Sequence, residues 1–184
     1  MDHDALASIL RTGTPAAPGN LVLLEGFLNT YAGEFGVEDF ATPDSTEAWL
    51  KSVNLWTGTE KLSTSQTRKI ISFRDTLRMW ILDKETNQPI NELIQAVPFQ
   101  AMFDSQGEIG FRSKGDAGDQ VLGAVSEVIL ESQKNGTWDR FKCCELPTCG
   151  WAYYDSTRSR TKRWCSMKTC GSRHKAREYY KRKR

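Results

Sequence analysis

Two matched cysteine hooks, Cys144-Glu-Leu-Pro-Thr-Cys149 and Cys165-Ser-Met-Lys-Thr-Cys170, constrain this chain more than any other feature. All five cysteines, Cys143 being the fifth, lie in the last quarter of its 184 residues. Four thiolates close a tetrahedral Zn²⁺ site when a chain reversal brings two local hooks together. The intervening residues can supply that reversal. Trp151-Ala152-Tyr153-Tyr154 reads as a strand, Ser156-Thr157-Arg158-Ser159 as a turn and Arg163-Trp164-Cys165 as the returning strand, with a helix from Ser166 onward. The expected unit is a small treble-clef-like zinc finger holding one structural Zn²⁺ on Cys144, Cys149, Cys165 and Cys170. With four thiolates there is no open position for a catalytic water. Redox or disulfide use is the alternative. A redox pair is normally C-x-x-C beside a βαβ pattern, which is absent, and disulfides need an oxidising compartment. Choosing Cys144 over its neighbour makes the two hooks equal, and Cys143 is then a packed thiol.

Charge divides the chain at the same place. Residues 1–136 carry 11 Lys/Arg against 19 Asp/Glu, a net of −8, whereas residues 137–184 carry 14 against 4, a net of +10. An acidic body with a basic tail suits a polyanion-binding module on a carrier. Lys142, Arg163, Lys168 and Arg173 are placed to offset the −2 of a tetrathiolate zinc, but Lys181-Arg182-Lys183-Arg184 lies well past the last ligand.

In a helix over about 166–182, Lys168, Ser172, Lys175, Tyr179 and Arg182 fall on one stripe, with Cys170 on the opposite side. Arg173 and Arg177 lie nearer the metal side, and Arg158, Arg160, Lys162 and Arg163 form a second basic patch. Such a helix fits the major groove of DNA. The partner expected from these charges is a nucleic acid. A solvated helix end is the plainer reading of the same charges, and an adaptor that docks an acidic protein or RNA partner is the competing function.

The body reads as mainly α. Residues 1–19 form a loose leader with Gly13, Pro15, Pro18 and Gly19. Leu24, Phe27, Leu28 and Tyr31 have helical spacing. Thr42-Pro43-Asp44 starts a second helix, with Ala48, Trp49 and Val53 as its apolar side. Ser63-Thr64-Ser65-Gln66 resembles a capping box ahead of Ile70, Phe73, Leu77, Trp80 and Ile81. Gln88-Pro89-Ile90 opens a shorter helix. Phe99, Ala101 and Phe103, then Ile109 and Phe111, alternate about Ser105-Gln106-Gly107-Glu108 as one β-hairpin. Val121, Leu122, Val125, Val128 and Ile129 make a last helix, stopped at Asn135-Gly136. Asn29, Thr30, Arg74 and Arg78 are polar groups in otherwise apolar helices. They are either helix-surface groups or internal hydrogen-bond partners, the favoured reading, or the lining of a small-molecule site.

The segment Arg163-Trp164-Cys165-Ser166-Met167-Lys168-Thr169-Cys170-Gly171-Ser172-Arg173, with Cys144, Cys149, Trp151 and Tyr154-Asp155-Ser156, closely resembles the CGNR zinc fingers over about residues 140–182. Ser172 stands where the family name has Asn. The acidic body more loosely resembles the ABATE domain found ahead of this finger, on Phe27-Leu28-Asn29-Thr30, Thr42-Pro43 and Trp49-Leu50. The resemblance implies a bacterial, stress-induced transcription regulator that binds DNA through the finger at 137–184, with a sensory body at 20–136. A homodimer and a small-molecule effector are further expected partners.

No nucleophile–His–acid set, phosphate loop or open metal site is present, so an enzyme is not expected. The acidic start Met1-Asp2-His3-Asp4 is unlike a secretory signal, and no run nears the ~20 apolar residues of a membrane helix. A soluble cytoplasmic protein, nucleoid-associated and without a membrane partner, is the expectation.

Overall fold

The structure, a computed structural model, describes residues 15–83, 86–103 and 105–183, Phe35 without its side chain. Most of the expected leader, residues 1–14, lies outside them. Ala17, within the leader, is buried, and its N–H donates to Glu25.

Local signals start the body helices. Helix α1 spans Leu21–Asn29. The expected helical turn at Tyr31 is instead a strand: β1 (Tyr31–Ala32) pairs antiparallel with β2 (Val37–Glu38) across a short 3₁₀ turn, and Tyr31 is exposed. Helix α2 (Pro43–Ser52) is capped by Thr42, which exchanges bonds with Ser45. It buries Thr46, Glu47 and Leu50, whereas Ala48, expected on the apolar side, is exposed. Helix α3 (Thr64–Leu82) carries the full Ser63/Gln66 capping box and buries Ile70, Phe73, Leu77 and Ile81. Helix α4 (Gln88–Gln95) has Pro89 in its first turn and no buried residue. Helix α5 (Ala117–Lys134) starts one turn earlier than its apolar stripe indicates, because Asp116 forms a third capping box with Asp119.

Helices α1, α3 and α5 pack against one another around Leu24, Phe27, Leu28, Phe73, Leu77, Val121 and Val125, all essentially inaccessible. Phe40 and Trp49 close one end as an aromatic cluster with Phe27, ring centroids 5.5–6.4 Å apart. Strands β3 (Phe99–Phe103) and β4 (Ile109–Ser113) form the expected hairpin, with Ala101 opposite Phe111 and Phe103 opposite Ile109. Its apolar face is not buried: Phe103 is 73% and Ile109 57% exposed.

The C-terminal unit contains β5 (Phe141–Cys143), β6 (Ala152–Tyr154), a π turn (Met167–Gly171) and helix α6 (Ser172–Arg182). The strand over Trp151–Tyr154 exists as β6, but its partner is β5, not the expected 163–165 segment. That segment adds one backbone bond, from Glu145 N–H to the Arg163 carbonyl. The whole is mainly α, with few short strands and a small C-terminal finger.

The body and the C-terminal unit share packing. Trp138, Phe141, Cys143 and Ala152 belong to the body's core, and Trp138 stacks between Trp80 and Phe141 at 5.6 and 5.8 Å. Among the described residues no helix is long and apolar enough to cross a membrane.

Candidate metal centre and nucleic-acid interface

The β5–β6 hairpin positions the first hook. Strand β5 ends at Cys143, and alternation sends neighbouring side chains to opposite faces. Cys143 therefore enters the body's core and Cys144 enters a second core with Leu146, Cys149, Trp151, Tyr153, Cys165 and Cys170. The backbone N–H groups of Leu146 and Cys165 face the Cys144 sulfur, and that of Trp151 faces the Cys149 sulfur. The second hook is closed by the π turn. Ser166 caps it through the Thr169 N–H, and the Gly171 N–H reaches the Ser166 carbonyl, five residues back. This wider turn brings Cys170 round to Cys165, which precedes the helix.

The four Sγ atoms of Cys144, Cys149, Cys165 and Cys170 lie within 4.8 Å of one another. Cys149 and Cys165 are 3.8 Å apart, and Cys165 and Cys170 3.6 Å. A regular tetrahedron with Zn–S bonds of ~2.3 Å has edges of about 3.8 Å, so the donors already stand at coordination spacing. Electrostatics makes the same point. Hydrogen bonds from Cys149 and Cys165 pull the Cys144 thiol down to about 2. That thiolate then holds Cys149 up at about 12, and sharing with Cys144 and Cys149 also raises Cys165. Four thiolates this close repel, and a dication at their centre removes the conflict. Cys143 is different. Burial pushes its thiol up to about 12 despite the nearby Arg78, so it remains a neutral packed group.

This is the centre of a known zinc module. Residues 140–183 match the CGNR zinc finger family model. No curated protein matches the chain. The four cysteines of the finger fit one structural Zn²⁺, as the hook spacing predicts.

Asp155 is the finger's second organising residue and is fully buried. It accepts from Lys142 Nζ at 2.7 Å, the Lys162 N–H at 2.9 Å and both the N–H and hydroxyl of Thr157. Those bonds outweigh desolvation and hold its carboxyl well below the usual range. Lys142 also donates to the carbonyls of Arg160 and Lys162, which fixes the loop between the hooks.

Of the cations expected to offset the zinc, Lys142 is thus committed to Asp155, Arg163 pairs with Glu145 and Arg173 pairs with Glu34 of the body. Lys168 is exposed and makes no ion pair among the described residues. On α6, Lys175, Arg177, Tyr179 and Arg182 are all exposed. Lys175, Arg177 and Arg182 make no ion pair among the described residues either. Ser172 is exposed and its hydroxyl donates to the Met167 carbonyl, so it locks the π turn. The other flank of α6 rests on the finger, where His174 meets Trp164 with ring centroids 5.1 Å apart. In the inter-hook loop Arg158 and Arg160 are exposed, and Arg160 has φ of 54°.

The four polar residues of the body are structural partners. The Asn29 amide donates to the Ala152 carbonyl at 3.0 Å and accepts from the Ala152 N–H at 2.9 Å, so α1 completes the free edge of β6. The Thr30 hydroxyl donates to the Phe27 carbonyl. Arg74, almost wholly buried, grips Glu38 with two bonds of 2.8 and 3.0 Å and reaches Asp75 and Thr30. Arg78 donates to the carbonyls of Leu28 and Tyr31, the open end of α1. The plainer reading of these residues accounts for their contacts.

One group the sequence did not single out is Glu25, buried on α1 beneath the finger. Among the described residues only one of its oxygens has a partner, the Ala17 N–H at 2.7 Å. Desolvation pushes its carboxyl from the ordinary 4.5 up to about 7. An isolated Glu in an apolar run was the available signal.

Proposed function

We propose that this protein binds double-stranded DNA through the helix anchored by its zinc site, and acts as a transcription regulator whose helical body receives the signal. The observation that carries the reading is the contrast among the finger's cations. Lys142, Arg163 and Arg173 are neutralised within the protein, while Lys168, Lys175, Arg177 and Arg182 are solvent-facing and make no ion pair among the described residues. A helix held at its first turn by metal presents those charges without the ordering entropy a free tail would lose. Cations at phosphates gain affinity by counterion release, and Tyr179, more than half exposed, adds a ring for sugar or base contact. The zinc is structural in this reading, since four thiolates fill its tetrahedral shell and leave no place for a reacting water. The protein is a binding protein, not an enzyme.

The test is fluorescence anisotropy with a labelled random duplex across a salt series. If the four free cations each meet a phosphate, log K against log salt has a slope of about −3.6, from roughly −0.9 per contact. Lys168→Glu with Lys175→Glu flattens the slope by about two contacts. An unchanged slope removes α6 from the interface, and absence of duplex binding at physiological salt leaves the adaptor as the function.

A further inference from the structure

A groove of ≈ 740 Å³ runs along α5 beneath the β3–β4 hairpin, on the side of the body where α1 begins. Its walls are Phe99, Ile109 and Phe111 from the hairpin, Leu23 of α1, Leu55 and Leu130. The volume falls in the ~300–1,000 Å³ range of small-molecule sites, and the lining is mostly apolar, as such sites are. A Cβ on Gly123 would come within 3.0 Å of Ser113 Cβ and 3.6 Å of Phe99, so the glycine sets how closely the hairpin approaches α5. The hairpin's rings then lean over the helix without covering it, and Phe99 and Phe111 keep 38% and 46% of their surface.

Charge specifies the occupant. Glu127 projects into this groove from the middle of α5 and makes no hydrogen bond or ion pair among the described residues. Its Oε1 lies 3.0 Å from where a side chain on Gly110 would begin, so the carboxylate rests against the hairpin backbone. Glu131, one turn on, is held by Asn20 at 2.8 Å. Lys134, seven residues on from Glu127, sits about 10 Å further along the axis at ~1.5 Å per residue. Arg112 shares the hairpin face of Gly110, opposite that of Phe111, and lines a neighbouring cleft with Glu127 without an ion pair between them. The centre therefore offers one carboxylate that makes no ion pair among the described residues, set between apolar walls with Arg112 at its flank.

We propose that this groove binds an organic cation with a bulky apolar body. The carboxylate of Glu127 pairs with the positive centre, while Phe99 and Phe111 supply apolar area and cation–π attraction. As the effector site of the body, it rests on the regulatory reading above; as a binding site it does not.

Isothermal titration of the full zinc-loaded chain with tetraphenylphosphonium tests the site, with tetraphenylborate as the anion of matching shape. One phosphonium per chain is expected, at least tenfold tighter than the borate. Glu127→Gln, a substitution at an exposed position, weakens it tenfold or more with an unchanged melting temperature. Equal affinity for the two ions, or wild-type affinity in the variant, overturns the proposal. So does a dimer in sedimentation equilibrium that is broken by Phe103→Lys and that excludes the phosphonium, since a second copy then covers the groove. Duplex affinity measured with and without the bound phosphonium separates the two readings. A changed affinity supports the effector role, and an unchanged one keeps the site and ends that role.

Discussion

Replacing Glu25 by Gln is expected to make the protein more stable at pH 8 and to flatten the pH dependence of its stability. Glu25 has no exposed surface and, among the described residues, one unpartnered oxygen and a single short bond from Ala17. Desolvation dominates, the Ala17 N–H opposes it less, and Lys162 less again, so the carboxyl ionises near 7 in the folded protein against 4.5 ordinarily. A raised acid favours folding while it is protonated. That contribution is fully present below about 4.5 and is lost as pH rises through about 7. The gap corresponds to about 3 kcal/mol in all at 1.36 kcal/mol per pH unit, of which about 1.3 kcal/mol is lost between pH 6 and pH 8. Urea denaturation at pH 6, 7 and 8 with zinc in excess measures it. The wild type should lose this amount relative to Glu25→Gln across the interval, because all other titrating groups are common to both proteins. Parallel stability curves for the two would refute the assignment of Glu25 as a destabilising buried carboxylate.

Two further outcomes bear on the finger and its mounting. Cys149→Ser or Cys165→Ser should reduce bound zinc, measured by metal analysis after gel filtration, from one ion per chain towards none and open the finger to protease. Cys143→Ala, which touches the body's core and not the sulfur cluster, should keep the full ion; zinc loss there would mean the ligand set is wrong. Asn29→Ala strips partners from both the N–H and the carbonyl of buried Ala152 and is expected to cost about 2–6 kcal/mol in urea denaturation, at roughly 1–3 kcal/mol per orphaned group. A loss under 1 kcal/mol would show that α1 does not tie the finger to the body.

Much of the site was legible because its signals are short-range. A hook of six residues carries its own ligand spacing, so all four sulfurs of the cluster were identified without any partner in space. The exposed cations of α6 follow from a charge run that no core could accept. What was missed is long-range in each case. Which strand pairs with β6, and whether Arg173 faces DNA or Glu34, depends on surfaces brought together by the body. Asp155 looks like a turn residue in the sequence, yet it is the buried hub of the inter-hook loop. The hairpin's alternation was readable, but the exposure of its apolar face was not, since period two says that a face is apolar and not what covers it.

Sequence by itself determined the helix starts at Thr42 and Ser63, the two sulfur hooks and the segregation of charge, because capping, loop closure and composition act within a few residues. Only the tertiary structure decided that Glu25 and Arg74 are buried, that Asn29 serves as the edge partner of β6, and that an open carboxylate-bearing groove remains beside α5. Burial and field strength at a residue are set by chain segments as far as 123 residues away, as Asn29 and Ala152 are, and no local pattern carries that information.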